Sequence, residues 1–119
     1  MLTVRRVQMA ELSRARRGAF IDVAVGQVVR HWPAVSESLS SEALRAHVER
    51  VVEAGAALGL DTEGELLRYV NVALALGDGS FREAVHPEAA AIEAGAWTPR
   101  QKLEKLVGLA RRELRRRAV

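Results

Sequence analysis

The sequence predicts an all-α fold, a single compact bundle of four to five helices over residues 1–119. Three observations predict it. Good helix formers, Ala, Leu, Glu and Arg, dominate the composition. Strand signals are weak: aromatic residues make up 4% of the 119 residues, and no run alternates apolar and polar positions between paired turns. Apolar residues recur instead at spacings of three and four, between helix starts and stops. With 49% hydrophobic residues, the chain has the means for one modest core.

The first predicted helix begins near Thr3 or Val4, with Thr3 as a fair N-cap. It runs to His31 or Trp32, with Gly18 as a place to bend. Met9, Leu12, Ala19, Phe20, Val23, Ala24, Val28 and Trp32 form its apolar stripe. Pro33 disfavours helical geometry at Trp32 and ends the segment. After the polar stretch Val35–Ser38, a second helix starts near Ser40 or Ser41. Leu44, Val48, Val51, Val52 and Leu58 make its buried face, and Gly59 is its left-handed stop. The third helix has a T-x-x-E capping box, Thr62 with Glu65, followed by Leu66, Tyr69, Val70, Ala73 and Leu74. Gly77-Asp78-Gly79 ends it, and 77–86 is the expected exposed loop. A short fourth helix starts at Pro87, behind His86 as a cap, and closes at Gly95. The fifth starts at Thr98-Pro99-Arg100-Gln101: cap, proline at the first position, and a glutamine that completes a box. Leu103, Leu106, Val107, Ala110 and Leu114 give it a narrow apolar face.

Charge is distributed unevenly. The 18 basic residues are 16 Arg and 2 Lys, for a net charge of +3. Residues 1–33 and 99–119 are basic, whereas 34–98 hold four basic and eleven acidic side chains. Basic ends can answer an acidic middle within the chain, so the positive balance does not by itself call for nucleic acid. Cysteine is absent, which excludes disulfides, thiolate metal sites and cysteine nucleophiles. A reducing compartment, the cytoplasm, is the expected location. No apolar run approaches a membrane span, and Met1–Arg6 lacks the apolar stretch of a signal peptide.

His31, His47 and His86 fall in three separate segments without the spacing of a helical metal pair; His31 flanks Trp32 at a helix end. Glu49 with Arg45, and Glu65 with Arg68, have the spacing of helix-surface ion pairs rather than of a desolvated acid pair. No serine lies in G-x-S-x-G, and Gly77-Asp78-Gly79-Ser80 is too short to cradle a phosphate. No cofactor, metal or catalytic residue is implied, and no enzyme is expected. A helix-turn-helix reading would send Asp61, Glu63 and Glu65 against phosphates, which is unfavourable. Arg111, Arg112, Arg115, Arg116 and Arg117 form a basic patch without interleaved aromatics, and they complement the dipole of their own helix. The candidate contacts for a protein partner are Trp32, Tyr69 and Trp97, with Arg111, Arg115 and Arg116, because Trp, Tyr and Arg dominate binding hot spots.

The series Leu2-Thr3-Val4-Arg5, Gln8-Met9, Phe20, Arg30-His31-Trp32-Pro33, Tyr69-Val70, Leu74-Ala75-Leu76-Gly77, Phe81 and Lys102-Leu103 with Leu106 resembles a family of small all-helical proteins. They are encoded in bacterial type VI secretion clusters, near spike, PAAR and effector genes. The resemblance spans about residues 2–114. Where Trp32 stands, the family commonly has Phe, and where this chain has His86-Pro87-Glu88 it has a Pro-Trp pair. The resemblance implies an accessory role, as an adaptor, chaperone or co-loaded partner of a secreted effector or spike component. Two alternatives remain open: an immunity protein that neutralises a cognate toxin, and a small basic nucleic-acid-binding regulator.

Overall fold

A computed structural model of the chain describes residues 2–76 and 86–118, with side chains over 15–76 and 86–117. The described residues form six helices and no strand: α1 (Leu2–His31), α2 (Pro33–Ser38), α3 (Ser41–Ala57), α4 (Glu63–Ala75), α5 (Pro87–Ala94) and α6 (Pro99–Ala118). The all-α reading holds. The expected count of four to five helices is corrected to six, because the polar stretch after Pro33 is itself helical. Gly77-Asp78-Gly79 and residues 77–85 of the expected loop lie outside the described residues. Among the described residues, no helix is long and apolar enough to cross a membrane.

Contacts group the chain into two units, Met1–Arg45 and Ala46–Val119, with the division inside α3. In the first, α1 begins at Leu2, so Thr3 lies inside the helix rather than at its cap. Phe20, Ile21, Ala24 and Val28 are buried. At about 100° per residue these four span a sector about 100° wide. Val23, placed in the stripe by its spacing, points about 60° beyond that sector and is 55% exposed. Trp32 leaves helical geometry at φ −128°, ψ 61°, as the following proline requires. Its amide still donates to Val28 O at 2.8 Å, and its carbonyl accepts from the Ser36 amide at 3.1 Å. One residue thus closes α1 and opens α2, because Pro33 fits the first position of a helix as well as it ends the preceding one. Ser40 Oγ accepts from the Ala43 amide at 3.1 Å and caps α3. Arg45 pairs with Asp22, tying α3 to α1.

In the second unit, the end of α3 and the start of α4 are both locally determined. Gly59 has φ +99°. Its amide donates to Ala56 O at 2.9 Å and the Leu60 amide to Gly55 O at 3.1 Å, a complete Schellman closure. Leu60 is then buried at the turn, whereas Leu58, expected in the core, stays half-exposed. A Cβ on Gly59 would also come within 2.7 Å of Pro99 Cγ, so this turn sits directly against the start of α6. Thr62 and Glu65 form the reciprocal box: the Glu65 amide donates to Thr62 Oγ1 at 3.2 Å, and the Thr62 amide and hydroxyl reach Glu65 Oε1. Those donors hold the Glu65 carboxyl below its ordinary pKa. The carboxylate is engaged here, rather than with Arg68.

Helix α4 buries Tyr69, Val70, Val72, Ala73 and Ala75. Gly55 of α3 lets it approach closely, since a Cβ there would meet Leu66 and Tyr69 side-chain carbons at 3.0 Å. Helix α6 packs against both α4 and α5 through Leu103, Leu106, Leu109 and Ala110, all buried. Leu114, placed in the core by its spacing, is 42% exposed. Its start repeats the box of α4: the Gln101 amide donates to Thr98 Oγ1 at 3.2 Å, and the Thr98 amide to Gln101 Oε1 at 3.0 Å. At α5, His86 occupies the cap position but makes no side-chain cap bond, and its Nδ1 is buried without a hydrogen-bond partner among the described residues. The expected capping role of His86 is therefore not realised; Pro87 lessens the need for it by lacking an amide donor.

Candidate protein-docking surface

The side chains read from sequence as partner contacts do not gather in one place. Trp32 lies in the first unit, half-buried at the junction of α1 and α2. Tyr69 is 0% exposed. It is a core residue of α4 and offers no surface, which corrects its reading as a partner contact. Its hydroxyl donates to Glu93 Oε2 at 3.4 Å, and Lys102 Nζ donates to the Glu93 carbonyl at 2.6 Å. Burial pushes the Tyr69 phenol well above its usual pKa, and the Glu93 carboxylate adds to that shift. Burial likewise raises the Glu93 carboxyl, against the smaller opposing effects of Tyr69 and Lys102. The three residues tie α4, α5 and α6 together at the C-terminal end of α5.

That end positions Trp97. Gly95 has φ −72° and ψ 166°, which any residue can adopt. Its necessity is spatial: a Cβ at Gly95 would clash with Cζ3 and Cε3 of the Trp97 indole. The ring therefore lies directly against the backbone of the turn. The Lys105 ammonium sits over the ring, 4.5 Å from its centroid, a cation–π contact worth about 0.5–1 kcal/mol at an exposed site. Held between these neighbours, the indole remains 42% exposed.

Two shallow depressions meet at the indole. The larger, about 430 Å3, is lined by Ile92, Gly108 and Leu109, with Lys105, Arg112 and Arg115. The other is formed with Gln101, Glu104 and Lys105. Trp97 and Arg115 thus line one depression. Arg116 is exposed and pairs with Glu113 at 2.9 Å, and Arg112 pairs with Glu88 at 3.0 Å. Arg111 lies on the opposite flank of α6, in a groove of about 180 Å3 against α4. Sequence reasoning missed Gly95, Lys105 and the groove. The interval of eight residues from Trp97 to Lys105 carries no standard signal, because a loop and a helix start intervene. Among the described residues, no three His, Asp or Glu side chains converge as metal ligands, and His31, His47 and His86 stay in separate elements.

No family model, curated protein or solved structure matches this chain.

Proposed function

We propose that this protein is a non-catalytic protein-interaction module, an accessory or adaptor for a type VI secretion effector or spike component. It docks through the Trp97 surface onto an acidic patch of that partner. One observation carries the docking site: an exposed tryptophan whose ring is pinned by Gly95 and Lys105, beside a depression edged by Arg115. A large apolar side chain immobilised before binding loses little entropy when a partner covers it. The surrounding cations steer an acidic surface and fix its orientation. The type VI assignment rests on the sequence resemblance.

The nucleic-acid alternative gains less support. Arg112 and Arg116 are already paired with Glu88 and Glu113, which weakens the field a phosphate backbone would meet. An immunity role would use the same surface and differ only in its partner.

The test is co-expression with the products of its neighbouring genes, followed by co-purification. One of them is expected to co-purify with the wild-type chain and to be lost with Trp97→Ala. Gly95→Ala, which displaces the ring while keeping it, should weaken the complex as well. A chain that purifies alone beside all its expressed neighbours counts against the proposal. Rescue of cells from a co-expressed toxin would move it to the immunity reading.

A further inference from the structure

We infer that the groove between α4 and α6 is a second docking site, which receives an amphipathic helix with acidic edges from a partner protein. It goes beyond the Trp97 reading and uses the other flank of α6. Arg68, Asn71, Val72 and Ala75 of α4 stand at i, i+3, i+4 and i+7, and Val107, Ala110, Arg111 and Leu114 repeat that spacing on α6. Residues so spaced form one stripe along a helix, so each helix turns a stripe of the same design to the groove. Val72, Ala75 and Ala110 are buried and form the floor, kept low by the two alanines. Leu114, exposed at the α6 side, supplies an apolar wall.

The charge of the lining selects the occupant. Arg68 and Arg111 are its charged residues, and among the described residues no carboxylate lines the groove. Both guanidinium groups are exposed, and neither has a carboxylate partner among the described residues, unlike Arg45, Arg112 and Arg116. An apolar trough between two helices, flanked by unneutralised cations, suits a helix that lays its apolar face on the floor and sets carboxylates beside it. A stripe of this length covers about 10 Å, or about two turns of the incoming helix. A second copy presenting its own α6 would set arginines against Arg68 and Arg111, so the occupant is a different, acidic chain.

The test uses two labelled helical peptides with one shared apolar face, edged by Glu in one and by Lys in the other. Each is titrated with the full-length protein and followed by fluorescence anisotropy. The Glu-edged peptide is expected to bind about tenfold more tightly at low salt, since surface ion pairs contribute modestly and are screened. That preference should shrink at about 0.5 M salt. In the doubly substituted Arg68→Glu, Arg111→Glu protein the preference should reverse, a result that loss of folding would not produce. Leu114→Lys should weaken the Glu-edged peptide by removing the apolar wall. Trp97→Ala should change neither titration, so failure here is separable from failure at the Trp97 surface. Equal affinity for the two peptides, or binding of neither, overturns the inference. So does a concentration-dependent dimer that Leu114→Lys abolishes, which would give the groove to a second copy.

Discussion

Helices α4 and α6 begin alike and serve opposite ends. Each opens with a threonine that exchanges hydrogen bonds with the side chain three residues on, Glu65 in one and Gln101 in the other. Helix α4 then carries three charged residues in 13 and buries most of its circumference. Helix α6 carries ten in 20, buries one stripe, and turns Arg111, Arg112, Arg115, Arg116 and Arg117 outward. A capping box decides where a helix starts; the distribution of apolar residues around it decides how deeply it sits. The core of the second unit is therefore built on α4, and both candidate docking surfaces are built on the flanks of α6.

The sharpest way to break the comparison is to empty the core side. Tyr69→Ala removes the largest fully buried side chain among the described residues and is expected to cost about 3–5 kcal/mol in urea unfolding. Leu114→Ala on α6 should cost far less, because that side chain is largely in solvent. A comparable loss at both positions would mean that α6 is as deeply embedded as α4.

The next largest effect falls at the turn that serves both helices. Gly59→Ala places a Cβ in left-handed backbone and against Pro99. A loss of about 2 kcal/mol is expected from the backbone conformation alone, read as a lower urea midpoint at unchanged slope. The Pro99 contact adds to it.

The two capping boxes should respond alike. Thr62→Ala and Thr98→Ala are each expected to cost about 1 kcal/mol, measured by thermal unfolding of the two variants side by side. A cap that cost nothing at α6 would show that its start is held by Pro99 and the Gly59 turn instead.

The smallest effect concerns Glu93, where α4, α5 and α6 meet. Its carboxyl is raised in the folded chain, chiefly by burial. The folded state therefore holds this proton more tightly than the unfolded one, and stability falls as pH rises from the ordinary carboxylate value through the raised one. Glu93→Gln should remove that slope. The difference in urea midpoint between wild type and variant should be larger at about pH 7.5 than at about pH 5, with the variant gaining at the higher pH. A difference independent of pH would place the raised proton affinity elsewhere.

Local signals in the chain set the helical class and most helix limits: Pro33, the Gly59 stop, the boxes at Thr62 and Thr98, and the Pro87–Gly95 span. These signals are bonds and steric limits between residues a few positions apart, so they survive whatever the rest of the chain does. Helix α2 escapes the sequence reading because Pro33 after Trp32 reads as a stop, though a proline also suits a helix start. Which aromatic residue faces outward is set by packing between distant segments. Tyr69 and Trp97 looked equivalent as contacts, yet one fills the space left by Gly55 and the other folds over Gly95 into solvent. Leu114 and Val23 carried helical spacing and still came out exposed. Exposure is a property of what packs across from a residue, and that neighbour is chosen by contacts between distant segments that no local spacing encodes.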